Sequence, residues 1–132
     1  MTKPIKKLLA PKALLLIGVA YTVLVTVAFL LPKVALPKTT DVSIDKWIHF
    51  FIHFVLIFLW LLVYFSFNKY KNALRNVGLV FLLCLGYGII IEVLQEVLTQ
   101  NRTADYYDVL ANVGGSILGM LFFIKTRRKL FL

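Results

Sequence analysis

Four apolar runs of 18 to 22 residues, separated by short polar links, leave this chain few ways to fold. They cover residues 13–31, 47–67, 77–98 and 107–124. A helix rises about 1.5 Å per residue, so each run reaches about 27–33 Å, the thickness of a bilayer's hydrocarbon core. A water-soluble domain of 132 residues, 61 % of them hydrophobic, has too little interior to bury four such runs. The expected fold is all-α: an integral membrane bundle of four transmembrane helices, a single domain over residues 1–132 with no soluble part. The first run follows Lys3, Lys6, Lys7 and Lys12, as a signal peptide would. It is long for one and no small-residue cleavage site follows, so it reads as a retained helix.

The net charge of +9 would suggest nucleic acid in a soluble protein. Here the bases flank the apolar runs instead of lining one polar face, so they set topology and no nucleic-acid partner is expected. The N-terminal segment, the link at Lys69, Lys71 and Arg75, and the C-terminal Lys125, Arg127, Arg128 and Lys129 carry eleven of the fifteen bases. Lys33, Lys38, Lys46 and Arg102 lie on the opposite side, offset by Asp41, Asp45 and Asp105. The positive-inside rule places both ends of the chain in the cytoplasm and the other two loops outside. Cys84 is the one cysteine and sits in an apolar run, where it reads as a packing residue.

Ionisable residues within spans cost several kcal/mol unless paired or solvated. Asp45, Lys46, His49 and His53 open the second run. Glu92, Gln95 and Glu96 close the third, Arg102 and Asp105 follow it, and Asp108 and Asn112 open the fourth. All fall near the outer face. Asp45, His49 and His53 are spaced by four. Glu92 precedes Gln95 by three and Glu96 by four. Asp105, Asp108 and Asn112 follow i, i+3, i+7. Such spacings put side chains on one stripe of a helix. Below Asn112 the stripe continues as Gly115, Ser116 and Gly119, and Gly115-x-x-x-Gly119 permits close helix packing. With almost nothing polar in the cytoplasmic halves, the expectation is a polar pocket open to the outside and closed at its base.

Each residue also has a plain structural reading. Asp45, Lys46 and His49 lie near the headgroups, where polarity costs little. Glu96 and Asp105 read equally well as solvated loop residues, Glu92 with Arg102 as an ion pair, and His53 as a packed histidine. Glu92, Asp108 and Asn112 are hardest to account for this way.

The ordered set Asp45-Lys46-x-x-His49-Phe50, Glu92-x-x-Gln95, Arg102 and Asp108-x-x-x-Asn112-x-x-Gly115-x-x-x-Gly119 resembles the VanZ-like family. The resemblance runs from Asp45 to Gly119, with the first run adding only an apolar span. It implies a bacterial multi-pass protein of the inner membrane, linked to resistance to teicoplanin-type glycopeptide antibiotics. Its motif residues here are Asp45, Lys46, His49, Glu92, Gln95, Arg102, Asp108 and Asn112, taken as ligand-binding candidates. It supplies no mechanism.

Three functions compete. A binding module would hold a lipid-linked or anionic envelope component, with Lys46 and Arg102 on its charge, Gln95 and Asn112 as hydrogen-bonding groups, and its acyl chain between helices. An enzyme acting on an envelope lipid or cell-wall precursor would use His49, Glu92 and Asp108 for acid–base work. In a variant of it, His49, His53, Glu92 and Asp108 would ligate a divalent metal. A proton-coupled device would carry protons on Glu92 and His49. The first reading, which needs neither metal nor cofactor, is preferred. Membrane lipids are the expected partners, and a homodimer is compatible with the sequence.

Overall fold

The computed structural model describes residues 10–31, 42–68, 73–99 and 104–131. They form four helices and no strand: α1 (Pro11–Leu30), α2 (Val42–Phe67), α3 (Ala73–Leu98) and α4 (Tyr106–Phe131). All four are long and apolar enough to cross a bilayer. The chain is therefore an all-α, multi-pass membrane protein whose outer faces contact lipid. Leu16, Leu24, Leu82, Leu83, Val97 and Leu121 are all exposed, an arrangement that water would penalise and lipid does not.

The helices do not coincide with the apolar runs. α2 begins at Val42 and α3 at Ala73, before the runs at 47 and 77, and α4 continues past 124 to Phe131. Hydropathy marks the stretch that sits in hydrocarbon. Helix formation itself continues into the headgroup region, where water and snorkelling Lys and Arg side chains meet the ends. Arg128 and Lys129 in the last turn of α4 also suit the negative end of its dipole.

Helix ends follow local chemistry. α1 starts with Pro at its first position, where a missing N–H costs nothing. It stops at Leu31, which turns extended, as the residue before a proline prefers. α4 is capped by Asp105, whose carboxylate accepts from the Tyr107 backbone N–H at 2.8 Å. Such a cap contributes about 0.5–2 kcal/mol.

Lipid tails are as apolar as leucine, so close packing and interhelical hydrogen bonds must hold the bundle together. The α2–α4 interface is the most extensive. A Cβ on Gly115 would strike the backbone carbonyl of Phe50, and one on Gly119 would lie 2.5 Å from the Phe54 oxygen. The glycine stripe thus seats α4 directly on the α2 backbone. Below it, Phe65 and Phe123 meet edge to face with centroids 4.9 Å apart, both fully buried beside Leu56, Ile57 and Leu61. α1 buries only Leu14, Gly18, Val25 and Phe29, one stripe at spacings of four, seven and four. Hydrogen bonds fix it: Tyr21 donates to the Ile52 carbonyl at 3.0 Å, and Trp60 donates to the Thr22 hydroxyl at 3.1 Å.

The half of the bundle away from Asp45 is less purely apolar than expected. Besides the Thr22–Trp60 bond, the Asn76 amide donates to the Tyr64 hydroxyl at 2.5 Å. Each of these groups satisfies another within the protein.

Candidate functional site

The i, i+4 and i, i+3 spacings bring the polar residues of three helices to one end of the bundle. At the rim, the Lys46 ammonium lies 2.8 Å from Asp105 Oδ2 and 3.4 Å from Asp108 Oδ1. One turn deeper, His49 is 1 % exposed, with its ring stacked on Phe29 of α1 at 4.6 Å between centroids. Its Nδ1 is 3.2 Å from Asn112 Oδ1 and 3.3 Å from Glu92 Oε1. Its Nε2 is on the other side, 3.8 Å from Asp108 Oδ2. Glu92, Asp108 and Asn112 are all buried. The three residues hardest to dismiss from sequence thus surround one imidazole.

The remaining candidates fall into place around this centre. Asp45 is half-buried, and one oxygen of its carboxylate, one ring nitrogen of His49 and one oxygen of Asp108 lie within 4.8 Å of each other. Gln95 is buried and donates to the Phe29 carbonyl at 2.9 Å, satisfying one of the orphan carbonyls in the last turn of α1. Glu96 is exposed. Asp105, read alternatively as a solvated loop residue, is both the cap of α4 and the partner of Lys46. Arg102, and hence any pair between it and Glu92, lies outside the described residues. His53 stands apart from the Asp45–His49–Asp108 set.

His53 and Ser116 form the floor, about 14 Å from Ile44 and about 15 Å from Tyr106 along their helices. Both residues are fully buried, and among the described residues neither ring nitrogen of His53 nor the Ser116 hydroxyl has a hydrogen-bond partner. A buried polar atom left so costs about 1–3 kcal/mol. His53 and Asn112 both press on Gly88, where an added Cβ would lie 2.7 Å from His53 Cε1 and 3.2 Å from Asn112 Nδ2.

Sequence reasoning foresaw α1 as a span but missed its contribution, and those of Tyr87 and Gly88, at this end of the bundle. Phe29 had one available signal: it ends a span that must leave the membrane on the same side as the polar cluster. Gly88 lies one turn before Glu92. Tyr87 bonds Thr26 at 2.8 Å and its ring lies 6.2 Å from that of His53. It also lines a cavity of about 500 Å³ between α1, α2 and α3, with Leu15, Leu56, Val63, Leu83 and Cys84. That cavity is lined mainly by apolar side chains and touches the polar cluster only through Tyr87.

Electrostatics at the rim can be tested directly. The Lys46 ammonium, helped by the Tyr107 N–H, holds the Asp105 carboxyl below the ordinary carboxylate range. A carboxylate so depressed stabilises the fold above its unfolded pKa, and that contribution disappears as pH falls through the lower folded value. Thermal stability of Asp105→Asn is therefore expected to lie below wild type at pH 7 and to converge on it in acid. Parallel curves from pH 7 to 3 would mean that the ion pair contributes nothing. The effect is small, since Asp105 is a third exposed.

A protein-family model described as VanZ/LLP1 matches residues 12–129, nearly the whole chain and well beyond the motif stretch from Asp45 to Gly119. No match was found among curated proteins or among solved structures. The chain belongs to the VanZ/LLP1 family.

Proposed function

We propose that this VanZ/LLP1 membrane protein binds the polar head of a lipid-linked or anionic cell-envelope component at the Lys46–His49–Asn112 cluster. The observation that carries this reading is the floor of the cluster: His53 and Ser116 are fully buried, yet their polar atoms have no hydrogen-bond partner among the described residues. Buried polar groups are nearly always satisfied, so a head group or its waters belongs there. Lys46 at the rim supplies a cation, with Arg102 from the adjoining segment as a second. The apolar cavity between α1 and α3 meets His53 through Tyr87, which gives the ligand's tail a place beside its head.

The charge distribution supports an outward-facing cluster with both chain ends in the cytoplasm of a bacterial cell. Holding or screening an envelope precursor there would reduce a glycopeptide's access to its target, which fits the link to teicoplanin-type resistance that the family resemblance implies.

A second reading, acid–base catalysis on such a component, is favoured by His49 lying 3.3 Å from Glu92 and 3.8 Å from Asp108. A general base oriented by a carboxylate has this arrangement. Under either reading, the motif residues Asp45, Lys46, His49, Glu92, Gln95, Arg102, Asp108 and Asn112 and the floor residues act as one unit within a single domain.

The test is mass spectrometry of mildly purified protein. Wild type is expected to retain an anionic or polyprenyl lipid, and Lys46→Ala and Arg102→Ala are each expected to lose most of it at equal yield. Absence of any retained lipid from wild type, or equal retention in all three, would refute the binding reading.

A further inference from the structure

The described part of the cluster is more acidic than the binding of an anion alone would require. Asp105 and Asp108 share Lys46, Asp45 lies in one ligand-atom set with His49 and Asp108, and Glu92 lies against His49. Buried carboxylates in a membrane need compensating positive charge. An anionic head group approaching this end would otherwise meet repulsion.

We infer that Asp45, His49 and Asp108 form a site for one divalent first-row metal ion, of the Mn2+ or Zn2+ type. Three donors of the right kind, two carboxylate oxygens and one imidazole nitrogen, lie within 4.8 Å of one another. Donors on a common ion at about 2.0–2.2 Å stand roughly 3–3.6 Å apart. The His49 Nε2 to Asp108 Oδ2 distance of 3.8 Å needs only a small side-chain rotation to close.

The orientation of His49 is an independent argument. Its Nδ1 is hydrogen-bonded to Asn112 Oδ1, with Glu92 Oε1 beside it. These neighbours accept, so the ring proton belongs on Nδ1 and the Nε2 lone pair points to the Asp108 side. A metal-bound histidine is normally fixed in this way, by a carboxylate or amide behind the ring.

Asp108 is divided in the same sense. Its Oδ1 faces Lys46 and its Oδ2 faces His49, so the lysine can keep one oxygen while an ion takes the other. Imidazole with two carboxylates suits Mn2+ or Zn2+ better than Ca2+, which prefers an all-oxygen shell of higher coordination. The described residues offer three donors, which leaves coordination positions for water or for an anion. That the anion is the head group of a bound lipid rests on the function proposed above; the ion site does not.

The experiment uses the full chain in nanodiscs, stripped with chelator and titrated with MnCl2 followed by electron paramagnetic resonance. One Mn2+ per chain is expected, with an imidazole nitrogen coupling that changes when the histidines carry 15N. Asp45→Asn and Asp108→Asn are expected to weaken binding at least tenfold, while exposed Glu96→Gln leaves it unchanged. ZnCl2 should compete and CaCl2 should not. No stoichiometric binding by folded wild type, or binding without a nitrogen coupling, overturns the inference without depending on any variant. Lipid retention is scored in parallel in chelator. Ion binding without lipid would leave the metal site and remove the proposed function, and lipid retention without ion binding would do the reverse.

Discussion

Leucine at position 115 is expected to leave almost no assembled protein, while leucine at position 86 leaves yield and thermal stability near wild type. Both positions are glycines within apolar helices, and composition does not distinguish them. Their surroundings do. A Cβ on Gly115 strikes the Phe50 carbonyl oxygen and lies 2.8 Å from its carbon and 3.1 Å from its Cα. Around Gly86 nothing lies within 4 Å. Overpacking against mobile side chains costs about 1–3 kcal/mol. Here the obstacle is backbone, so α4 must move away from α2 as a whole. That movement would break the contacts of Lys46 with Asp108 and of His49 with Asn112, which cross the same interface. Gly119→Leu is expected to fail similarly, against the Phe54 carbonyl. Ser66→Leu is expected to be mild, since its hydroxyl only donates to the Val63 carbonyl of its own helix. Size-exclusion profiles and thermal unfolding of detergent-solubilised variants check the series. A monodisperse, stable Gly115→Leu protein would mean that α2 and α4 do not meet along this stripe.

These contrasts show how far the sequence could be read. Run length and polarity are enough to establish four membrane helices, because lipid permits few alternatives. The periodicities of Asp45, His49 and His53, and of Asp105, Asp108 and Asn112, are enough to gather them on facing stripes. What periodicity does not contain is the rotation of one helix against another. So Gly115 was legible as a packing residue but Phe50 as its partner was not, and the bond from the Gln95 amide to the Phe29 carbonyl was not legible either. The contribution of α1 was also hidden. Phe29 acts through a ring face and a carbonyl, neither of which differs in type from the same groups on any other apolar residue. The spacing of four made His53 legible one turn beneath His49, but not as sharing a buried floor with Ser116.

Glu92→Gln is expected to keep the fold and lose the retained lipid. Glu92 is 4 % exposed, and its Oε1 is 3.3 Å from His49 Nδ1. If it serves only to join α3 to α2, removing its charge should lower stability, and any loss of ligand should follow that loss. If instead it fixes the His49 ring for a ligand, its burial is a cost borne for function. Removing one partner of a buried pair is costly when it leaves the other unsatisfied, but here Asn112 still accepts from the His49 ring, so the change is close to neutral. The expectation is a stability change within about 1 kcal/mol for Glu92→Gln and unchanged or raised thermal stability for Glu92→Leu. Retained lipid should fall to background in both. Glu92→Ala is less informative, because its cavity adds a separate penalty. The check is a thermal melt and a lipid mass spectrum on the same preparations. A fall in melting temperature that scales with lipid loss across Gln and Leu would make Glu92 structural glue. Full lipid retention in a stable Glu92→Leu protein would remove α3 from the site, leaving α2 and α4 to form it through Lys46, His49, Asp108 and Asn112.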